Sequence, residues 1–254
     1  MNNEFAYVSF VNFNPNYIQL MKSTILSVLH FSKHPFIIYC VNFPLSFISK
    51  NSNEIFGFDI HNTNRIIIRF IANHSITNIY YFKPFVIADA LKQGLQAGYY
   101  IESDDILTPF ADDFLYSKLP LISYIPLSPI HPDDVHIPPQ DMSIASCEKK
   151  TQHYIHGHVL FTHNCLPFII QWLSICTSSS PHHSFRNADE TVLNIMYWKY
   201  NCENHFLPII DPWYQNFYDI SFDKIQNNTL CSFHGCKNPQ EQYKLFVDMK
   251  AFYF

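Results

Sequence analysis

Apolar positions along the first half of the chain fall into two alternating kinds of segment. Residues 5–11 form a short apolar run ending in Asn12-Phe13-Asn14-Pro15, which predicts a strand closed by a turn. Ile18, Met21, Ile25, Val28 and Leu29 then recur at helical spacing and mark one face of an amphipathic helix. Residues 35–41 are apolar throughout Phe36-Ile37-Ile38-Tyr39-Cys40-Val41, the pattern of a parallel-sheet strand covered on both faces. Residues 65–71 predict another strand. Pro84 predicts a helix start, and Val86, Ile87, Ala90 and Leu91 carry that helix to Gly94. The next run, Tyr99-Tyr100-Ile101-Glu102-Ser103-Asp104-Asp105, predicts a strand that passes from apolar residues into carboxylates. Ligands of open α/β sheets lie outside the carboxyl ends of strands, so this position is a candidate site.

The second half is less regular. Six prolines between residues 120 and 140 predict a long loop with at most one strand, at 121–125. Loops of that length are usually lids or binding loops, and residues 126–140 are expected to order over a bound ligand. Residues 155–162 predict a strand, 168–175 a helix, and 189–200 a second helix with Asn187 or Asp189 as its cap. Residues 230–233 predict a last strand, which enters His234-Gly235-Cys236-Lys237-Asn238-Pro239.

Composition narrows the class. The 254 residues are 48% hydrophobic and 15% charged, enough for one large α/β domain or two small ones and too apolar for a disordered chain. A net charge of -5 with scattered Lys and Arg leaves no basic stripe, which excludes nucleic acid as the main partner. Seven cysteines at irregular spacing, after an N-terminus without signal-peptide character, point to a reducing compartment. No apolar run approaches the roughly 20 residues needed to cross a bilayer.

Chemistry concentrates at the acidic strand end. On a strand, residues two apart share a face, so Glu102 and Asp104 are expected to aim both carboxylates at one ion. Mg²⁺ and Mn²⁺ take a few protein oxygens and complete their shell with water and phosphate. A merely solvated strand end is the competing reading. Lys83 is a candidate partner for a diphosphate, or a solvated residue before a proline. Asp189 is a candidate hydrogen-bond acceptor, or simply negative charge at a helix N-terminus. Trp213 and Tyr214 can stack on a sugar or pack in a core. Cys231-x-x-His234-x-Cys236, with Cys202-x-x-His205 upstream, supplies enough ligands for a tetrahedral zinc, but clean Cys-x-x-Cys knuckles are absent, so no stoichiometric zinc is expected.

The stretch Lys83-Pro84-Phe85-Val86-Ile87-Ala88-Asp89-Ala90-Leu91, followed by Gly98-Tyr99-Tyr100-Ile101-Glu102-Ser103-Asp104-Asp105-Ile106, resembles the core of GT-A glycosyltransferases. The nearest pattern is glycosyltransferase family 8. Residues 5–40 are similar to that family's opening strand–helix–strand, and Asp189-Glu190-Thr191-Val192-Leu193-Asn194 resembles its Asp-Gln-x-x-Leu-Asn segment. The segment from His234 to Pro239 resembles its C-terminal His-x-x-Gly-x-x-Lys-Pro motif. The chain departs from the family in three places. Glu102 replaces the first Asp of the Asp-x-Asp motif, the C-terminal motif is contracted, and His156-Gly157-His158 stands where the family has Asn-Ala-Gly.

The resemblance implies an α/β fold of GT-A type, with a mainly parallel central sheet flanked by helices in a single domain. It implies a donor-binding half at about residues 1–115 and an acceptor-binding half at about 116–254. The implied activity is metal-dependent, retaining transfer of a sugar from a nucleotide diphosphate sugar, such as a UDP-sugar, to a hydroxyl. Mn²⁺ or Mg²⁺ would sit on Glu102, Asp104 and His234. Catalytic roles fall to Asp189, Glu190 and Lys237, donor contacts to Asn12, Tyr17, Lys83, Ser103, His156 and Gly235, and acceptor contacts to Trp213 and Tyr214. The acceptor would be a glycan, a lipid-linked sugar or a protein. A cytoplasmic location is expected, with peripheral membrane attachment left open. A sugar nucleotidyltransferase is the alternative enzyme, yet Phe10-Val11-Asn12-Phe13-Asn14 lacks the glycines of its phosphate loop. A non-catalytic carbohydrate- or zinc-binding module is the alternative outside catalysis.

Overall fold

The computed structural model describes residues 4–58, 64–72, 76, 78–131, 154–155, 157–178, 188–200, 206–207, 214–216, 231–234 and 237–253. The chain divides into two compact units, neither of them contiguous. One comprises Phe5–Asn73, Ile101–Lys118 and Asp211–Phe254; the other comprises Met1–Glu4, His74–Tyr100 and Leu119–Ile210.

The first unit is built on three parallel strands, β1 (Phe5–Asn12), β2 (Phe36–Val41) and β3 (Ile66–Ile71). Val8 pairs with Ile37, and Ile37 with Ile67. Every residue of β2 is buried and every residue of β3 is half-buried, as the middle and edge of a sheet require. Helix α1 (Pro15–Phe31) connects β1 to β2; the Asn14 side chain caps it and Pro15 supplies a preset first turn. Its inward face mixes Leu20, Met21, Ile25 and Val28 with the buried hydroxyls Ser23, Thr24 and Ser27. Short α2 (Ser52–Phe56) starts in an Asn51–Glu54 capping box and ends at Gly57, whose φ of 65° favours glycine.

Later segments return to this unit. Strand β5 (Ile106–Leu107) and helix α4 (Ala111–Lys118) follow the acidic segment. Strands β10 (Tyr214–Asn216) and β11 (Cys231–His234) pair in parallel, and β11 pairs antiparallel with β5. Helix α7 (Pro239–Tyr253) lays Phe246 and Met249 against Phe31 and Ile106. Burying two such side chains is worth roughly 1.5–3 kcal/mol each. The apolar pattern of the sequence predicts neither α4 nor α7.

The second unit holds helix α3 (Phe82–Lys92) and strand β4 (Ala97–Tyr100), which pairs antiparallel with β8 (Leu160–Thr162). Strand β6 (Ser128–His131) pairs with β7 (Tyr154–Ile155) and with β9 (Phe206–Leu207). Helix α5 (Leu166–Thr177) buries Phe168, Ile169, Trp172 and Cys176 at helical spacing, and α3 packs on it. Helix α6 (Ala188–Lys199) completes the unit.

Four local expectations change. Helix α3 begins at Phe82, so Lys83 and Pro84 lie inside its first turn. Within the proline-rich stretch the strand is 128–131 and not 121–125, where Leu119–Leu121 forms a 3₁₀ turn. The expected strand at 155–162 is two short strands, because Gly157 and His158 interrupt the pairing. Asp189 lies within α6 and is not its cap, and Asn187 falls outside the described residues. Residues 132–140 of the expected lid also fall outside them.

Candidate functional site

Strand β4 ends at Tyr100, and Glu102 to Asp105 form a turn. The same-face argument from strand geometry therefore does not apply to Glu102 and Asp104. Their relation is set by the turn instead, and the turn is pinned from inside. The fully buried Asp105 accepts the Glu102 N–H on Oδ2 at 2.7 Å, and its own N–H donates to the Glu102 carbonyl at 3.3 Å. Thr24 Oγ1, on α1, lies 2.8 Å from both the Ser103 and Asp105 carbonyls. Just beyond the turn, the Leu107 N–H donates to Ser27 Oγ at 3.0 Å. Ahead of it, the Ile101 N–H donates to the Val8 carbonyl at 3.0 Å. Asp105 is thus used internally, while Glu102, Ser103 and Asp104 remain half-exposed.

The C-terminal segment approaches this turn through backbone pairing. Cys231 lies opposite Leu107 and Ser232 opposite Ile106 in an antiparallel ladder. His234, at the end of β11, pairs with Asn216 of β10. His234 is described as a strand position alone. The Lys237 carbonyl accepts from Asn16 Nδ2 at 3.3 Å, which places the Lys237 backbone at the N-terminus of α1. Among the described residues no three His, Cys, Asp or Glu side chains gather into a metal site. The described portion, two half-exposed carboxylates on a rigid turn, fits Mn²⁺ or Mg²⁺, which are commonly held by one or two carboxylates plus substrate phosphates.

A separate charged group lies in the other unit. Lys83 Nζ is 3.1 Å from Asp189 Oδ2 and 3.9 Å from Glu190 Oε1, with side-chain exposures of 4%, 2% and 21%. The ammonium also stands 5.2 Å from the centre of the Tyr100 ring. Glu190 Oε1 accepts the Gly157 N–H at 3.1 Å, and Asp189 is fixed through its carbonyl, which accepts from Trp172 Nε1 at 3.0 Å. A Cβ on Gly157 would sit 2.0 Å from Lys83 Nζ and 2.7 Å from Glu190 Oε1, so a larger residue there would displace the ends of both side chains. The buried Tyr81 hydroxyl is pushed up to about 12 by desolvation, then by Cys176 and Asp189.

Lys83, Asp189 and Glu190, marked separately in the sequence, therefore meet. His156, Gly235 and Trp213 fall outside the described residues, as do Cys202, His205 and Cys236 of the zinc alternative. Tyr214 begins β10, opposite Cys231. Asp105, Thr24 and Gly157 were not among the expected site residues. The available signal for Thr24 was a polar residue on the apolar face of α1. Gly157 stood out only as the glycine of the His-Gly-His triplet.

No known protein family matches the sequence, and no curated protein does. Solved structures do. A structure of WbbM, a bifunctional glycosyltransferase without ligand, matches 99% of this chain at 10% identity with a TM-score of 0.63; the chain spans 50% of that protein's length. The galactosyltransferase LgtC, in complex with donor and acceptor sugar analogs, matches 97% of this chain at 11% identity with a TM-score of 0.57, over 95% of its own length. The chain has the α/β fold of these glycosyltransferases, GT-A in type, with a mainly parallel central sheet flanked by helices.

Proposed function

We propose that the chain is a metal-dependent glycosyltransferase that moves a sugar from a nucleotide diphosphate sugar, UDP-linked, to an acceptor hydroxyl with retention of configuration. The observation that carries this reading is the acidic turn at Glu102–Asp104, which follows a strand's carboxyl end and whose backbone is held by hydrogen bonds from Thr24 and Asp105. Rigid placement of carboxylates is what an ion–diphosphate site needs, because preorganised groups need no reorganisation as charge develops. The fold likeness supports it, since LgtC was solved with donor and acceptor sugar analogs.

In this reading Glu102, Asp104 and His234 hold Mn²⁺ or Mg²⁺, which when bound neutralises charge on the departing diphosphate. Lys237 adds positive charge on the same side of the reaction. Asn12, Tyr17 and Ser103 contact the nucleotide, with His156 and Gly235 assigned to the donor as well. Glu190, the more exposed of the two carboxylates, accepts hydrogen bonds from sugar hydroxyls and stabilises the cationic anomeric carbon, while buried Asp189 and Lys83 hold it in place. Trp213 and Tyr214 face the acceptor. The bond from anomeric carbon to diphosphate oxygen breaks with its electron pair going to that oxygen, a bond to the acceptor oxygen forms, and the hydroxyl proton passes to the departing diphosphate. A panel of nucleotide sugars assayed for nucleotide release needs no acceptor. Release from one donor, dependent on Mn²⁺ and abolished in Asp104→Asn, is expected. Release unchanged in excess chelator would rule out the metal mechanism.

A further inference from the structure

We infer that Gln242 and Thr24 are positioning residues for the acidic turn, so that helix α7 sets the affinity of the metal site from behind. The inference rests on the proposed metal role of Glu102 and Asp104. Gln242 is fully buried in the first turns of α7. Its Nε2 lies 3.4 Å from Thr24 Oγ1 and 3.5 Å from each of the Ser103 and Asp105 carbonyls. Thr24 Oγ1 lies 2.8 Å from the same two carbonyls.

A hydroxyl carries one proton and an amide nitrogen two. Three protons therefore meet three acceptors, namely two turn carbonyls and the threonine oxygen. Without Gln242 the Thr24 hydroxyl can serve only one of the two carbonyls, and without Thr24 both carbonyls are left to the more distant amide at 3.5 Å. The Ser103 carbonyl belongs to the peptide group entering Asp104 and the Asp105 carbonyl to the one leaving Asp105, so anchoring both holds the turn before and after Asp104. Among the described residues Gln242 Oε1 meets no hydrogen-bond donor, a cost that an apolar side chain at this position would avoid. The glutamine is explained by what its nitrogen does.

The same helix turn also anchors the segment after His234. Asn238 Oδ1 accepts the Gln240 N–H at 3.1 Å, the Asn238 carbonyl accepts the Gln242 N–H at 3.0 Å, and the Lys237 carbonyl is tied to Asn16. One helical turn thus links the Lys237 backbone and the acidic turn to α1.

The test compares Thr24→Val, Thr24→Ser and Gln242→Met with wild type and Asp104→Asn, using the Kd for Mn²⁺ from electron paramagnetic resonance. Amide exchange of the metal-free proteins at Glu102 and Asp105 is the second readout. Groups that orient metal ligands typically change affinity about 10–100-fold when removed. Thr24→Val and Gln242→Met should weaken Mn²⁺ by at least tenfold and speed exchange at Glu102, while Thr24→Ser keeps the wild-type values. If Thr24→Val does not fold, Gln242→Met decides alone. Wild-type Mn²⁺ affinity in Gln242→Met, alongside weakened binding in Asp104→Asn, would overturn the positioning role and leave the site standing. No Mn²⁺ binding by wild type would overturn both.

Discussion

Replacing Lys83 by methionine removes the charge and keeps most of the side-chain volume. Its partner Asp189 has a side chain 2% exposed and an Oδ2 at 3.1 Å, so the loss removes the ammonium that faces a buried carboxylate. Glu190, at 21% exposure and with the Gly157 N–H on Oε1, has partial compensation and contributes less. Breaking a buried pair from one side typically costs about 3–5 kcal/mol. For a chain of this length each kcal/mol lowers the melting temperature by about 2–4 °C, which gives a drop on the order of 10 °C. Thermal melts followed by near-ultraviolet circular dichroism measure it. The double variant Lys83→Met/Asp189→Asn should melt above Lys83→Met, since neutralising the buried carboxylate removes most of the penalty. A Lys83→Met melt within about 2 °C of wild type would show that the pair is not buried from water, and the reasoning would fail.

Burial holds His34 below its ordinary value of 6.5, with Lys33 and Arg65 adding to the lowering and Asp112 opposing it. A group depressed in the folded state leaves the unfolded chain binding more protons, so its contribution is full above 6.5 and declines as pH falls through that value toward the folded one. Melting temperature from pH 7.5 to 5 should fall more steeply in wild type than in His34→Gln, and equal slopes would refute the assignment. Burial also pushes the Cys40 thiol up to about 12 and raises Cys165 and Cys176. Iodoacetamide at neutral pH should spare these three in the native protein and modify them in urea; equal labelling in both would contradict their burial.

The segments readable from sequence were those with a strong local period. The run at 36–41 is apolar at every position, and α1 carries both its period and its Asn14-Pro15 start. Helix α7 escaped because Phe246 and Met249 are few apolar anchors among charged and amide residues, and its burial depends on Phe31 far along the chain. The acidic turn was legible as composition and not as geometry. Its shape comes from Thr24 and Gln242, which lie 81 and 137 residues from Asp105 and leave no periodic trace near it. Lys83 read as a residue before a proline, yet α3 begins one residue earlier and carries it inward to Asp189. The motif order Lys83, Glu102–Asp104, Asp189, His234 carried more about the fold than any single motif did.

The central claim is that Glu102, Asp104 and His234 serve one ion that holds a nucleotide diphosphate. It is tested most directly by the melting temperature with UDP, with and without Mn²⁺, in wild type, Asp104→Asn and His234→Ala. A ligand at 100 times its Kd stabilises the native state by about 2.7 kcal/mol, a rise of roughly 5–10 °C at this chain length. The account predicts that rise in wild type only when Mn²⁺ is present, and loss of most of it in either variant. A UDP shift that is the same with and without Mn²⁺, or that survives intact in Asp104→Asn, would contradict it.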